Sequence, residues 1–193
     1  AFGITFIIIT GGIDLSIGTN MMMSALIGGY LYTKGMNIWI VLGIVVLIAT
    51  IVGWINGILV AKLKLPPFIA TLGTMTVARG IAQIVNNNYN TNSIGEGAQN
   101  FRDFFYYGKT LGFYNTIWIA IVFWLVFNFI LTRTRTGRHI YAIGSNVEAA
   151  RLSGVNIVST TLKAYLVSSF VSCVVGLITC ATSGMGTMDS GNA

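Results

Sequence analysis

The sequence predicts an all-α protein, a polytopic bundle of membrane-spanning helices. Three observations predict it. The chain of 193 residues is 54% hydrophobic with a mean hydropathy of +0.77, and only 8% of it is charged, whereas a soluble domain carries about 25%. Apolar runs long enough to cross a bilayer recur along it; the cleanest, 38–61, rises about 36 Å as a helix against a hydrocarbon core of about 30 Å. The basic residues gather at one set of ends of these runs. The net charge of +6 is therefore the asymmetry of a membrane protein, and it does not imply nucleic acid as a partner.

Taken in order, residues 1–10 read as the end of a hydrophobic helix, which Gly11-Gly12 interrupts. A second helix follows over about 14–33, then spans over 38–61 and 68–85. Lys62, Lys64 and Pro66-Pro67 separate these last two, since proline stops a helix. A polar loop rich in Asn, Gly and aromatics covers 86–115, a fifth span 116–132, a basic segment 133–160 and a last span 161–182. The chain opens inside an apolar run with no basic n-region, so it is not a signal peptide. With its polar tail at 187–193, it reads as one transmembrane domain over 1–193, an internal stretch of a longer protein.

Orientation follows from the charges. Lys62 and Lys64 share a side with Arg133, Arg135, Arg138, Arg151 and Lys163, opposed there only by Glu148. In the 86–115 loop Arg102 and Lys109 are balanced by Glu96 and Asp103. The positive-inside rule puts 62–67 and 133–163 in the cytoplasm and the polar loop outside.

Within the basic segment, Ser145 to Gly154 reads as a short capped helix. Ser145 and Glu148 have the spacing of a capping box, and Gly154 can take the left-handed conformation that ends a helix. Glu148 and Arg151 can pair across one face, beside a flat surface of Ala149 and Ala150. A helix of about two turns is marginal alone, so it rests against something.

The run Gly11-Gly12-Ile13-Asp14-Leu15-Ser16-Ile17-Gly18 is unusual between apolar flanks. An acid at membrane depth costs about 2.5–3.5 kcal/mol, and interrupted helices survive there only inside protein or beside a cavity. Asp14 fits the N-cap of the second half-helix, either as a purely structural cap or as a contact for ligand or proton. Asp14, Ser16 and Asn56 are the core or pathway candidates. Ala49, Gly53 and Gly57 form one small-residue ridge, and Ser168, Ser172, Gly176 and Cys180 another, suited to close helix packing.

Other chemistry is poorly supported. Cys173 and Cys180, seven apart on one helix, lie about 10 Å apart along its axis, too far for a disulfide. His139 has no metal-spaced partner. Gly108-Lys109-Thr110 imitates the end of a phosphate loop, but Asp103 stands where that pattern needs glycine. No nucleotide, metal or other cofactor site is expected, and nothing marks an intramembrane enzyme.

Two stretches carry a resemblance. Glu148-Ala149-Ala150 with Gly154 resembles the Glu-Ala-Ala…Gly cytoplasmic loop of ABC-importer permeases. Gly11 to Gly18 is similar to the signature of their ribose/galactose/xylose-type sugar branch. Asn56-Gly57, Pro67 to Gly73, Gly137-Arg138 and Tyr141 to Asn146 match in the same order, so the similarity runs along nearly the whole chain. The frequent glycine at position 145 of that family is serine here, and the family's first and last helices lie outside the chain. The resemblance implies a permease domain of a monosaccharide importer in the bacterial cytoplasmic (inner) membrane. Its partners would be a cytosolic ATPase subunit, an extracytoplasmic sugar-binding protein and a second permease copy. It also implies that Asn146, Glu148, Ala149, Ala150, Arg151 and Gly154 couple the chain to that ATPase. A branched-chain amino acid permease of the related branch, or an ion-coupled transporter, are the alternatives.

Overall fold

The computed structural model describes residues 2–87, 89–92, 94 and 99–191. Ala1 of the first predicted span, Glu96 of the outer-loop charge balance and the last two residues of the polar tail fall outside these. The architecture is an α-helical bundle: α1 (Phe2–Ile9), α2 (Ile17–Thr33), α3 (Ile38–Ala61), α4 (Pro67–Val85), a single turn α5 (Gln99–Arg102), α6 (Asn115–Arg133), α7 (Arg135–Ser145), α8 (Val147–Leu152) and α9 (Ile157–Ser183). Four of these, α3, α4, α6 and α9, are long and apolar enough to cross a membrane.

α9 is the axis of the bundle. It packs along α3, α2 and α1, and small residues let it do so. The position of a Cβ on Gly53 would lie 2.8 Å from the Tyr165 carbonyl, and one on Gly57 would lie 3.0 Å from Leu162 Cα. On the other side of α9, Gly176 faces the Met21 carbonyl of α2 with no room for a side chain. The two predicted ridges are therefore the surfaces on which α3 and α2 approach α9.

Two apolar clusters result. One joins Met22 and Leu26 of α2, Val41 and Val45 of α3, and Leu177 and Cys180 of α9. The other joins Phe6 and Ile7 of α1, Phe127 of α6, Ile140 of α7, and Ala164 and Tyr165 of α9. Both cysteines are free and buried. α6 is the peripheral helix. Phe127 is its buried residue, while Ile121, Trp124, Leu125 and Phe129 face outward, as suits a helix whose solvent is acyl chain.

The polar loop is more structured than the sequence suggests. α5 runs into a π turn over Asp103–Tyr107, and Lys109–Thr110 pairs with Phe113–Tyr114 as a small antiparallel hairpin, β1 and β2. Phe101 and Phe105 fold inward and join the first cluster. The other side of the loop is tied to the end of α9, where the Thr91 amide donates to the Gly186 carbonyl at 2.9 Å and the Ile94 amide to the Gly184 carbonyl at 2.8 Å.

Several helix boundaries differ from expectation, for local reasons. α9 begins at Ile157, before residue 161, because Asn156 caps it and accepts from the Ser159 amide at 2.9 Å. α4 begins at Pro67, which sits in the first turn where its missing N–H costs nothing. α2 begins at Ile17 instead of about Asp14, for reasons that belong to the site below.

Candidate functional site

The break between α1 and α2 is closed by backbone at one end and by side chains at the other. Gly11 is left-handed, with φ +74°. The Gly11 amide donates to the Ile8 carbonyl and the Gly12 amide to the Ile7 carbonyl, each at 2.9 Å. That is the Schellman ending of α1. On the α2 side, Asp14 Oδ1 accepts from the Ser16 amide at 2.9 Å and from Ser16 Oγ at 2.6 Å. Ser16, not Asp14, stands at the N-cap position, and its hydroxyl caps no amide. The carboxylate has captured the hydroxyl, which holds residues 14–16 out of the helix and delays its start to Ile17.

From there a chain of hydrogen bonds crosses the bundle. Asn56 Nδ2 of α3 donates to Ser16 Oγ at 2.8 Å. Thr74 Oγ1 of α4 donates to Asn56 Oδ1 at 2.6 Å. Ser168 Oγ of α9 donates to Asp14 Oδ2 at 3.1 Å. The backbone of the break is satisfied too: Tyr165 donates its phenol to the Ile13 carbonyl at 3.1 Å, and the Leu15 amide donates to Thr71 Oγ1 at 3.2 Å. Asp14 is 5% exposed and Asn56 fully buried. The candidates Asp14, Ser16 and Asn56 thus come together in one network. Thr71, Thr74 and Tyr165 complete it and were missed by sequence reasoning, as was the polar role of Ser168, expected only as part of a packing ridge. A hydroxyl on an apolar helix was the available signal, but spacing alone does not say which hydroxyl faces the break.

The network explains how a buried acid is tolerated. Asp14 accepts three hydrogen bonds from side chains and backbone, and among the described residues no cation pairs with it. As a cluster it binds the break to α3, α4 and α9 together.

At one end of the bundle lies the second constellation. α7 is amphipathic. Ile140 and Ile143 are buried, and Gly144 packs directly on the Ile9 carbonyl at the end of α1. Helix α7 runs on through Ser145, so the capping box predicted for Ser145 does not form. Asn146 is the cap instead, extended in backbone, with Oδ1 accepting from the Ala149 amide at 3.0 Å. An asparagine next to the serine takes the role because its amide carbonyl reaches the third amide once α7 has used the serine backbone. At the other end Gly154 has φ +79°. Its amide donates to the Arg151 carbonyl and that of Val155 to the Ala150 carbonyl, both at 3.0 Å, a second Schellman ending.

Between these caps α8 presents two faces. Ala150 is 4% exposed and turns inward, so it does not share an outer surface with Ala149. Glu148 and Arg151 are exposed and pair at 3.6 Å. Leu152 is 88% exposed and Val147 also faces outward. These two apolar side chains on a solvent face were not among the predicted residues. His139 is part of no metal cluster; among the described residues no group of three potential ligands occurs.

Comparison with known proteins adds sequence kinship to this geometry. The chain is 38% identical over 181 residues to the ribose import permease protein of Haemophilus influenzae, covering 92% of the chain and 55% of that protein. It is 34% identical over 189 residues to the ribose import permease protein of Bacillus subtilis, covering 92% and 55%. With the fructose import permease protein FruF of Bifidobacterium longum it shares 31% identity over 182 residues, covering 94% and 51%. The chain spans about half the length of these curated relatives. No solved structure matches it. A family model described as branched-chain amino acid transport system / permease component matches residues 1–192, and the chain belongs to that family.

Proposed function

We propose that this chain is part of the membrane subunit of an ATP-driven monosaccharide importer in the bacterial cytoplasmic membrane. It carries no energy source of its own. A cytosolic ATPase subunit would supply the stroke, an extracytoplasmic binding protein would deliver the sugar, and a second permease copy would complete the path. The single observation that carries the coupling half of this reading is α8. It is a six-residue helix fixed at both ends by its own caps, resting on α7 and α9, with Leu152, Glu148 and Arg151 directed outward. A helix held this firmly yet so exposed is suited to take a contact from another protein.

In this reading Asn146 and Gly154 hold the shape of α8, Ala150 anchors it, and Glu148, Ala149 and Arg151 meet the ATPase. Asp14, Ser16 and Asn56 brace the core around which the bundle changes the side to which it opens. The names of the relatives support sugar as cargo over a branched-chain amino acid. An ion-coupled mechanism is disfavoured, since Asp14 is the lone acid within the spans. The test is ATP hydrolysis by the full-length permease reconstituted with its ATPase subunit and binding protein. Stimulation by a pentose or hexose supports the reading. Stimulation by leucine or isoleucine instead, or failure of an ATPase subunit to co-purify, overturns it.

A further inference from the structure

A cavity of about 530 Å³ opens between the end of α3 and the corner where α8 turns into α9. Its charged lining is Lys64 from the α3–α4 connection with Glu148 and Arg151 from α8. The rest of the wall is largely apolar and includes Val60 and Ala61 at the end of α3 and Ile157 and Val158 at the start of α9. We propose that this cavity binds the headgroup of an anionic phospholipid.

Three observations converge on that occupant. The first is depth. The walls include the ends of α3 and α9, both long and apolar enough to cross a membrane, so the orientation expected from the charges sets the cavity at the level of the headgroups. The second is charge. Two cations meet one anion, and the pairing of Arg151 with Glu148 is an exposed contact at 3.6 Å that leaves most of the five guanidinium donors free. Basic pockets on the cytoplasmic side are suited to phosphate headgroups in this way. The third is backbone. Lys64 has φ +56°, a conformation that glycine adopts freely and lysine does not. That conformation ends α3, where the Leu63 amide donates to the Ile58 carbonyl and the Leu65 amide to the Leu59 carbonyl, and it sets the lysine at the cavity.

A phosphate could also come from a soluble molecule, but the apolar wall would then remain wet; a lipid covers it. The proposal rests on the membrane orientation above; it shares Glu148 and Arg151 with the proposed ATPase contact, and Lys64 is the cation that belongs to the lipid site alone. Its readout is taken on the permease alone, so the two readings fail separately.

The experiment is native mass spectrometry of the delipidated full-length permease, offered phosphatidylglycerol or phosphatidylcholine with identical acyl chains. Preferential retention of phosphatidylglycerol is expected. Lys64→Gln lowers that retention roughly fivefold, the effect of one basic residue at a headgroup. Val158→Trp, which fills the cavity from its apolar side and leaves the charges in place, lowers it as well. Equal retention of the two lipids, or unchanged retention in both variants, overturns the proposal. So does displacement of the lipid by millimolar glycerol 1-phosphate, which would identify a soluble phosphate site. Protection of a Lys64→Cys thiol from maleimide by the ATPase subunit but not by phosphatidylglycerol overturns it in favour of a protein partner.

Discussion

Ser168, midway along α9, donates its hydroxyl to Asp14 Oδ2 at 3.1 Å, across 154 positions of sequence. The contact joins the interrupted segment to the helix that organises the bundle. It is one of three hydrogen bonds on a carboxylate that no cation balances among the described residues. Removing the acceptor therefore strands the Ser16 amide and two hydroxyls in a buried site.

The Asp14 substitutions should separate shape from charge. Asp14→Ala leaves three donors without an acceptor, and each unmet buried donor costs about 1–3 kcal/mol. The thermal unfolding midpoint of the full-length protein in detergent should fall by many degrees. Asp14→Asn keeps one carbonyl oxygen for Ser16 and should lose far less. Equal losses in the two variants would contradict a capping role.

Asn56 and Thr74 should behave as a coupled pair. The Thr74 hydroxyl donates to Asn56 Oδ1 at 2.6 Å, and side-chain hydrogen bonds between membrane helices average about 0.6 kcal/mol, reaching about 1.7. A double-mutant cycle with Asn56→Leu and Thr74→Val should give a coupling energy within that range. Strict additivity would mean the contact contributes nothing.

Two glycines with opposite surroundings provide a packing test. Gly176 lies against the Met21 carbonyl, while Gly73 on α4 has open space where a Cβ would stand. Gly176→Ala should destabilise by about 1–3 kcal/mol through overpacking. Gly73→Ala should be neutral or slightly stabilising, because alanine favours helix. Melting curves of the two variants, measured side by side, decide the matter.

At α8, stability and coupling should come apart. Leu152→Asp changes a side chain that is almost wholly exposed, so insertion and melting should be unchanged while ATPase co-purification and uptake fall. Asn146→Ala should cost about 1 kcal/mol as a lost cap. Gly154→Val, forced to a left-handed backbone that costs about 1–2 kcal/mol, should reduce uptake at normal membrane levels. Wild-type uptake in both Leu152→Asp and Gly154→Val would remove α8 from the mechanism.

What could be read beforehand divides along physical lines. α3 falls on Ile38–Ala61 as expected, since an unbroken apolar run bounded by polar residues leaves little choice. Gly154 ends its helix for a reason written in the residue itself. Glu148 and Arg151 pair because three residues separate them on one helix. Ser145 misled because two adjacent residues could each cap α8, and only the path of α7 decides between them. The loop defied reading for another reason: Phe101 and Phe105 are buried by distant partners on α2 and α9, and no local period announces that. The same holds for Asp14. Its place in a break between apolar stretches was legible, but its partners Ser16, Asn56 and Ser168 are brought together only by the fold.

Four residues, 153–156, separate α8 from α9. Beyond them α9 runs for 27 residues, about 40 Å, to the end where Thr91 and Ile94 are fastened to Gly186 and Gly184. A helix resists compression along its length far better than bending. In the proposed reading α9 would then act as a pushrod with a handle at one end and a latch at the other. A nudge delivered to α8 would not need to diffuse through the bundle to be felt at Gly184 and Gly186; it would arrive there along one stiff shaft.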